Sequence, residues 1–111
     1  MDADSQLEAL EGAPFRFSDL IDHQDGAIVS RTLIDEEAAT LTVFALDQGQ
    51  TISEHSAPHD AILQVVDGTG AVTIDGEEYA LEAGEAIAMP AEVPHAVAAP
   101  SRFKMVLTMV R

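Results

Sequence analysis

The sequence has no cysteine and few basic side chains, with five lysine and arginine residues against 20 aspartates and glutamates. The absence of cysteine excludes disulfides, thiolate nucleophiles and thiolate metal ligands. The net charge of −15 argues against binding to nucleic acid or anionic membranes, because both interactions depend on lysine and arginine. The acidic N-terminus lacks the features of a secretory signal, and no apolar run approaches the roughly 18 residues of a membrane span. These absences predict a cytoplasmic protein.

What is present indicates one folded domain. A chain of 111 residues with 47% hydrophobic content can bury a single core. We predict a single domain over residues 15–111, preceded by an N-terminal tail or short helix over residues 1–14. Within that segment, residues 4–11 suit one or two helical turns.

From residue 15 onward the pattern predicts short strands separated by turns. The apolar or β-branched runs are 26–35, 40–46, 61–67, 71–81, 85–90, 95–99 and 103–110. An Asp75-Gly76 pair inside the fourth run predicts a β-hairpin with a type I′ turn. Strands at this spacing predict an all-β, antiparallel sandwich or barrel.

Several of these strands are apolar on both faces. In the second run, Phe44 and Leu46 lie on the opposite face from Leu41, Val43 and Ala45. One face can fill a barrel, and the other needs a cover. Because a second subunit is the usual cover, we predict a homodimer.

Histidines are the candidate functional residues. His55 and His59 are four residues apart, which is about 13 Å in a straight strand and too far for one metal ion. Pro58 lies between them, and a bend there would bring the two imidazoles together. His95 follows a loop stiffened by two prolines, so its position is well defined. Neutral imidazole is the commonest protein ligand for transition metals.

These histidines lie in segments that resemble the two motifs of the small single-domain cupins, G-x5-H-x-H-x3,4-E-x6-G and G-x5-P-x-G-x2-H-x3-N. The matching positions are Gly49, His55 and Gly68 in the first motif and Gly84, Pro90 and His95 in the second. The resemblance covers about residues 26–110. It implies an antiparallel β-barrel, or jelly roll, in a family that often dimerises.

The chain departs from both motifs. Ala57 and Ala61 stand at the positions of two of the four usual metal ligands, which leaves His55 and His95. In the second motif Glu92 replaces the glycine, and the final asparagine is also replaced by alanine.

Three hypotheses follow, and the sequence leaves all three open. In the first, His59 joins His55 and His95 to hold a divalent iron, nickel, zinc or manganese ion for metal-assisted oxygenation or isomerisation of a small carbonyl compound. In the second, His55 and His95 bind a small organic molecule without metal and act as proton donors or acceptors. In the third, the domain is a non-catalytic binding or structural module. No organic cofactor is implied.

Apolar residues at alternating positions predict the walls of the ligand pocket. They are Ile52, Leu63, Met89, Val97, Phe103, Met105 and Leu107. A polar centre inside an apolar barrel is the usual anatomy of a small-molecule site. We expect His23, Glu54 and Asp60 to be solvent-exposed residues outside this pocket.

Overall fold

A computed structural model of the protein describes residues 7–111, which form nine β-strands and one short 3₁₀ helix. The helix is Phe17–Asp19, and the strands are β1 (Ile28–Asp35), β2 (Ala39–Leu46), β3 (Thr51–His55), β4 (Asp60–Asp67), β5 (Thr69–Ile74), β6 (Glu77–Glu82), β7 (Ala86–Met89), β8 (His95–Ala98) and β9 (Phe103–Val110). Residues 1–6 of the predicted N-terminal tail or helix lie outside the described residues. Leu7 and Glu8 are helical and residues 9–12 form turns, with a hydrogen bond from the Leu10 N–H to the Leu7 carbonyl (3.0 Å).

The strands form two antiparallel sheets, so the predicted all-β fold is confirmed. The larger sheet has the order β1-β2-β9-β4-β7, and the smaller has the order β3-β8-β5-β6. Every strand pair is antiparallel. The sequence pattern missed β3, whose residues Thr51–His55 are mostly polar and exposed. No helix within residues 7–111 has the length and apolar character needed to cross a membrane.

The β5–β6 hairpin confirms the turn predicted from its sequence. Ile74 pairs with Glu77, which leaves a two-residue loop. Asp75 and Gly76 both have positive φ, at 50° and 83°, as a type I′ turn requires. This local signal sets the register of the whole hairpin.

The main core lies between the two sheets. Its fully buried side chains include Leu63, Val65, Val72, Phe103 and Met105. The Phe103 ring packs against the backbone of Gly70, where an added Cβ atom would lie only 2.6 Å from Cε2 of the ring. Gly70 therefore provides the space that the ring occupies.

A second apolar cluster lies on the outer face of the larger sheet. Val43 and Ala45 are fully buried there, whereas Leu46 of the same strand packs in the main core. The two apolar faces predicted for β2 are therefore confirmed. The cover includes residues of the chain itself, since Leu20 and Ile21 pack on this cluster.

Within residues 7–111, part of the outer face is left exposed. Ile62 is 54% exposed and Val110 is 58% exposed, on the neighbouring strands β4 and β9. The homodimer stays a prediction, and the particle mass from light scattering at micromolar concentration would test it.

Candidate functional site

The pairing of β3 with β8 brings two of the predicted site residues together. His55 and His95 are direct cross-strand partners. Their ring centroids are 4.3 Å apart, and the ring planes are inclined by 65°. Two histidines that are forty residues apart in the sequence therefore form one adjacent pair.

A β-bulge in β3 determines which side of the strand His55 occupies. Ile52 pairs with Val97 and His55 pairs with His95, so three steps along β3 match two steps along β8. Residues three apart in a regular strand would point to opposite faces. Because the bulge inserts one extra residue, Ile52 and His55 both line the same cavity, where His55 stays exposed to solvent.

Both imidazoles are held through the same ring nitrogen. His55 Nδ1 lies 2.8 Å from the Ser53 carbonyl oxygen, and His95 Nδ1 lies 3.3 Å from the Val93 carbonyl oxygen. A carbonyl oxygen only accepts hydrogen bonds, so each Nδ1 carries the hydrogen. Nε2 of each neutral ring then has a lone pair that can accept a hydrogen bond or bind a metal ion.

The histidine pair borders a cavity of about 310 Å³. Its lining residues are Ile28, Phe44, Ile52, His55, Leu63, Met89, His95, Val97, Met105 and Leu107. Apart from the two histidines, all of these side chains are apolar. The site thus consists of two adjacent imidazoles at one side of a hydrocarbon-walled space.

Six of the seven residues predicted to line the pocket do line this cavity, and Phe103 does not. Phe103 is on the correct face of β9 but lies against Gly70. Ile28 and Phe44 also line the cavity, although the pattern did not predict them. The alternation of β2 places Phe44 on an inner face, but no local signal shows which part of that face a cavity occupies.

His59 lies in the loop between β3 and β4, and the structure does not bring it together with the other two histidines. No group of three or more His, Cys, Asp or Glu side chains within residues 7–111 could hold a metal ion. Ala57 and Ala61 offer no side-chain donor, and Ala61 is packed in the main core with 8% of its surface exposed. A catalytic zinc ion normally has three protein ligands. Two imidazoles alone therefore do not fit a resident catalytic metal.

Two hydrogen bonds link the start of β4 and the loop before it to the loop before β8. The Ala91 N–H donates to Asp60 Oδ1 (2.8 Å), and the Glu92 N–H donates to the Ala57 carbonyl (2.7 Å). Asp60 is exposed as expected, but its carboxylate also fixes the loop that leads to His95. Glu92 has a φ of 68°, in the left-handed region that favours glycine. This conformation explains why the motif has glycine at that position.

His23 differs from its prediction as an exposed loop residue. Its side chain is half-buried, and its Nδ1 atom is buried with no hydrogen-bond partner among residues 7–111. Burial lowers the pKa of His23, and the nearby Lys104 and Arg102 lower it further. His23 is not among the residues that line the His55–His95 cavity. Its sequence context carries no apolar periodicity that would indicate burial.

A family model of the cupin domain matches residues 42–111. A conserved protein of unknown function from Streptococcus pyogenes is 36% identical, with a TM-score of 0.87 over 91% of this chain and 89% of that one. A cupin 2 conserved barrel domain protein from Leptotrichia buccalis is 35% identical, with a TM-score of 0.82 over 85% of this chain and 46% of that one. A putative mannose-6-phosphate isomerase from Ralstonia eutropha is 14% identical, with a TM-score of 0.76 over 88% of this chain and 97% of that one, and shares the fold alone. No protein with a curated description matches the chain.

Proposed function

The chain belongs to the cupin family, and we propose that its barrel binds a small organic molecule without a metal ion, through the paired imidazoles of His55 and His95. The observation that carries the proposal is the shared anchoring of the two rings. Both Nδ1 atoms lie against backbone carbonyls, which leaves Nε2 of each ring as the group available to a ligand. The adjoining apolar cavity would hold the apolar part of the ligand.

The size of the cavity limits the size of the ligand. At the packing density of protein interiors, about 0.74, a space of about 310 Å³ holds roughly a dozen non-hydrogen atoms. This volume is at the small end of the range for ligand sites. We therefore expect a compact, largely apolar molecule.

The charge of the protein favours a ligand that is not an anion. The formal net charge is −15, and the field of a strongly acidic protein repels anions. Neutral imidazoles present acceptor nitrogens, so the polar group of the ligand should be a donor such as a phenol, an enol or another hydroxyl group.

The pair also has the components of an acid–base site. Nε2 of one imidazole can take a proton from a bound hydroxyl group or from a carbon next to a carbonyl. Once protonated, the same Nε2 can return that proton to another atom of the ligand, and the second ring, 4.3 Å away between centroids, can accept a hydrogen bond from the ligand. Carbonyl–enol isomerisation is a reaction of this kind, and it needs no oxidant or metal.

A matched pair of probes tests the binding proposal. We expect phenol to bind more tightly than toluene in the presence of a chelator, since the two have nearly the same size and only phenol donates a hydrogen bond. Phenol donates one hydrogen bond, which either Nε2 can accept, so replacing both His55 and His95 by alanine should weaken phenol binding about tenfold, as the loss of one hydrogen bond of about 1.4 kcal/mol predicts. His59→Ala is the control and should leave the affinity unchanged. Titration followed by ¹H–¹⁵N NMR measures both ligands.

Equal binding of phenol and toluene, or a phenol affinity that does not change when both His55 and His95 are replaced by alanine, would refute the role of the pair. If the substitutions change the stability of the protein but not its phenol affinity, the domain is a non-catalytic structural module.

The three-histidine metal hypothesis makes a different prediction. The two available Nε2 atoms favour it, but His59 would have to move to join them. Elemental analysis of untagged protein after reconstitution with iron, nickel, zinc and manganese decides between metal-independent binding and the three-histidine metal site. Metal-independent binding predicts less than ~0.1 ion per subunit, whereas a resident site predicts close to one ion, lost in His59→Ala.

A further inference from the structure

The segment 17–24, which we call the N-terminal strap, lies across the outer face of the larger sheet. Ile21 is only 6% exposed and packs in the same cluster as Val43 and Val106. Phe17 and Leu20 pack against this cluster as well. The strap therefore covers an apolar surface on the opposite side of the sheet from the His55–His95 cavity.

Two cationic side chains of the sheet attach the strap by polar contacts. Lys104 of β9 donates a hydrogen bond from Nζ to the Ser18 carbonyl (2.7 Å). Arg31 of β1 donates from Nη1 to the Leu20 carbonyl (3.2 Å). Both contacts hold the first part of the strap, ahead of His23.

His23 lies near the end of the strap, and its surroundings suit only the neutral imidazole. Protonation places a hydrogen on both ring nitrogens, but Nδ1 is buried and has no acceptor among residues 7–111. Lys104 and Arg102 repel a positive ring, whereas Asp67 and Asp47 attract it. Three further charged residues line the groove beside the ring, namely Asp19 and Asp22 of the strap and Arg31 of β1.

We propose that the strap is an acid-sensitive cover, in which protonation of His23 releases residues 17–24 and exposes the apolar outer face of the larger sheet. An imidazolium with a buried, unpaired N–H is destabilised relative to one in water. Movement of the strap into solvent removes this penalty. The barrel and its His55–His95 cavity need not open, since they lie on the other side of the sheet.

Hydrogen exchange measured by mass spectrometry tests the proposal on the full chain. After correction for intrinsic rates, we expect amides of residues 17–24 to exchange several-fold faster at about pH 5.5 than at about pH 7.5, a range that spans histidine titration. Exchange in the barrel strands should stay unchanged. The His23→Gln variant should lose the pH response of the strap, whereas the matched control His59→Gln should keep it.

An equal pH response in His23→Gln would overturn the proposal, and so would a uniform increase over the whole barrel, because that pattern indicates global unfolding. A measurement on the unmodified chain covers the case in which His23→Gln does not fold. In an NMR pH titration, amide shifts of residues 17–24 should follow the midpoint of the His23 imidazole. A midpoint that matches only the other three histidines would contradict the mechanism.

Discussion

Replacing Gly70 by alanine should destabilise the protein, because the Phe103 ring occupies the space that the new methyl group needs. A Cβ atom at position 70 would lie 2.6, 2.8 and 2.9 Å from Cε2, Cζ and Cδ2 of that ring. Carbon atoms pack best at about 3.5–4.0 Å, so the overlap is about 1 Å on three atoms. Phe103 is fully buried and cannot swing into solvent.

The magnitude follows from two opposing effects. Overpacking of a core costs about 1–3 kcal/mol, whereas replacing glycine in a strand by alanine is worth about 0.5–1 kcal/mol through the unfolded state. Gly70 lies in β5 without a positive φ, so alanine brings no backbone strain there. We expect Gly70→Ala to lower the free energy of unfolding by about 1–2 kcal/mol.

A double-mutant cycle isolates the contact. Phe103→Leu alone should be destabilising, but it removes the ring atoms that the alanine methyl would meet. In that background Gly70→Ala should be neutral or slightly stabilising, which gives a coupling energy of about 2 kcal/mol. Because Phe103 does not line the cavity, Phe103→Leu should also leave phenol affinity unchanged.

Urea denaturation followed by circular dichroism measures all four proteins of the cycle, with m values compared to check two-state behaviour. The reasoning fails if Gly70→Ala costs the same with and without the Phe103 ring, or if it costs nothing in the original chain.

Three further predictions concern pH and glycine. Burial, with Lys104 and Arg102 nearby, lowers the pKa of His23 below 6.5. The contribution of the neutral ring to the free energy of unfolding should therefore be complete above pH 6.5 and decrease as the pH drops from there toward the folded-state pKa. Urea denaturation at a series of pH values should show that the free energy of unfolding depends less on pH in His23→Gln. The Gly26 N–H, with the Arg102 side chain, lowers the pKa of Asp47 from 3.8 to about 2, so its stabilising effect should be present above pH 3.8 and disappear between there and about pH 2; acid unfolding of Asp47→Asn should lack this component. Gly68→Ala should lower the free energy of unfolding by about 2–4 kcal/mol, since its Cβ would lie 2.4 Å from the Arg102 carbonyl oxygen at a φ of 75°. Gly49→Ala should lower it by only about 1–2 kcal/mol, because Gly49 has a φ of 88° but open space around it. Thermal unfolding measures both variants.

The parts of the fold that local patterns encode could be predicted from the sequence. Asp75 and Gly76 specify their turn by backbone conformation alone, and the alternation in β2 separates Leu46 from Val43. The strap could not be predicted, because its cover of the sheet depends on packing between residues far apart in the sequence. Leu20 and Ile21 carry no periodic signal that would identify their partner.

The pocket shows the same limit of local reasoning. Alternation identifies the face of a strand, so it assigns both Met105 and Phe103 to the interior of the barrel. Alternation does not show which part of that face borders the cavity. Gly70 on the opposite sheet decides this, because the notch at its position accepts Phe103 and leaves Met105 to line the cavity.

The bulge in β3 explains why spacing within one segment is a poor guide to the partner of His55. A straight strand would place Ile52 and His55 on opposite faces, and the only histidine at short range is His59. The extra residue turns His55 toward the cavity and sets it opposite His95, at the point where the ring–ring contact forms. The polar stretch that hides β3 from sequence patterns therefore contains the irregularity on which the site depends. Ligand binding at the His55–His95 site should therefore be more sensitive to the length of β3 than to the identity of the exposed side chains at Ser53 and Glu54.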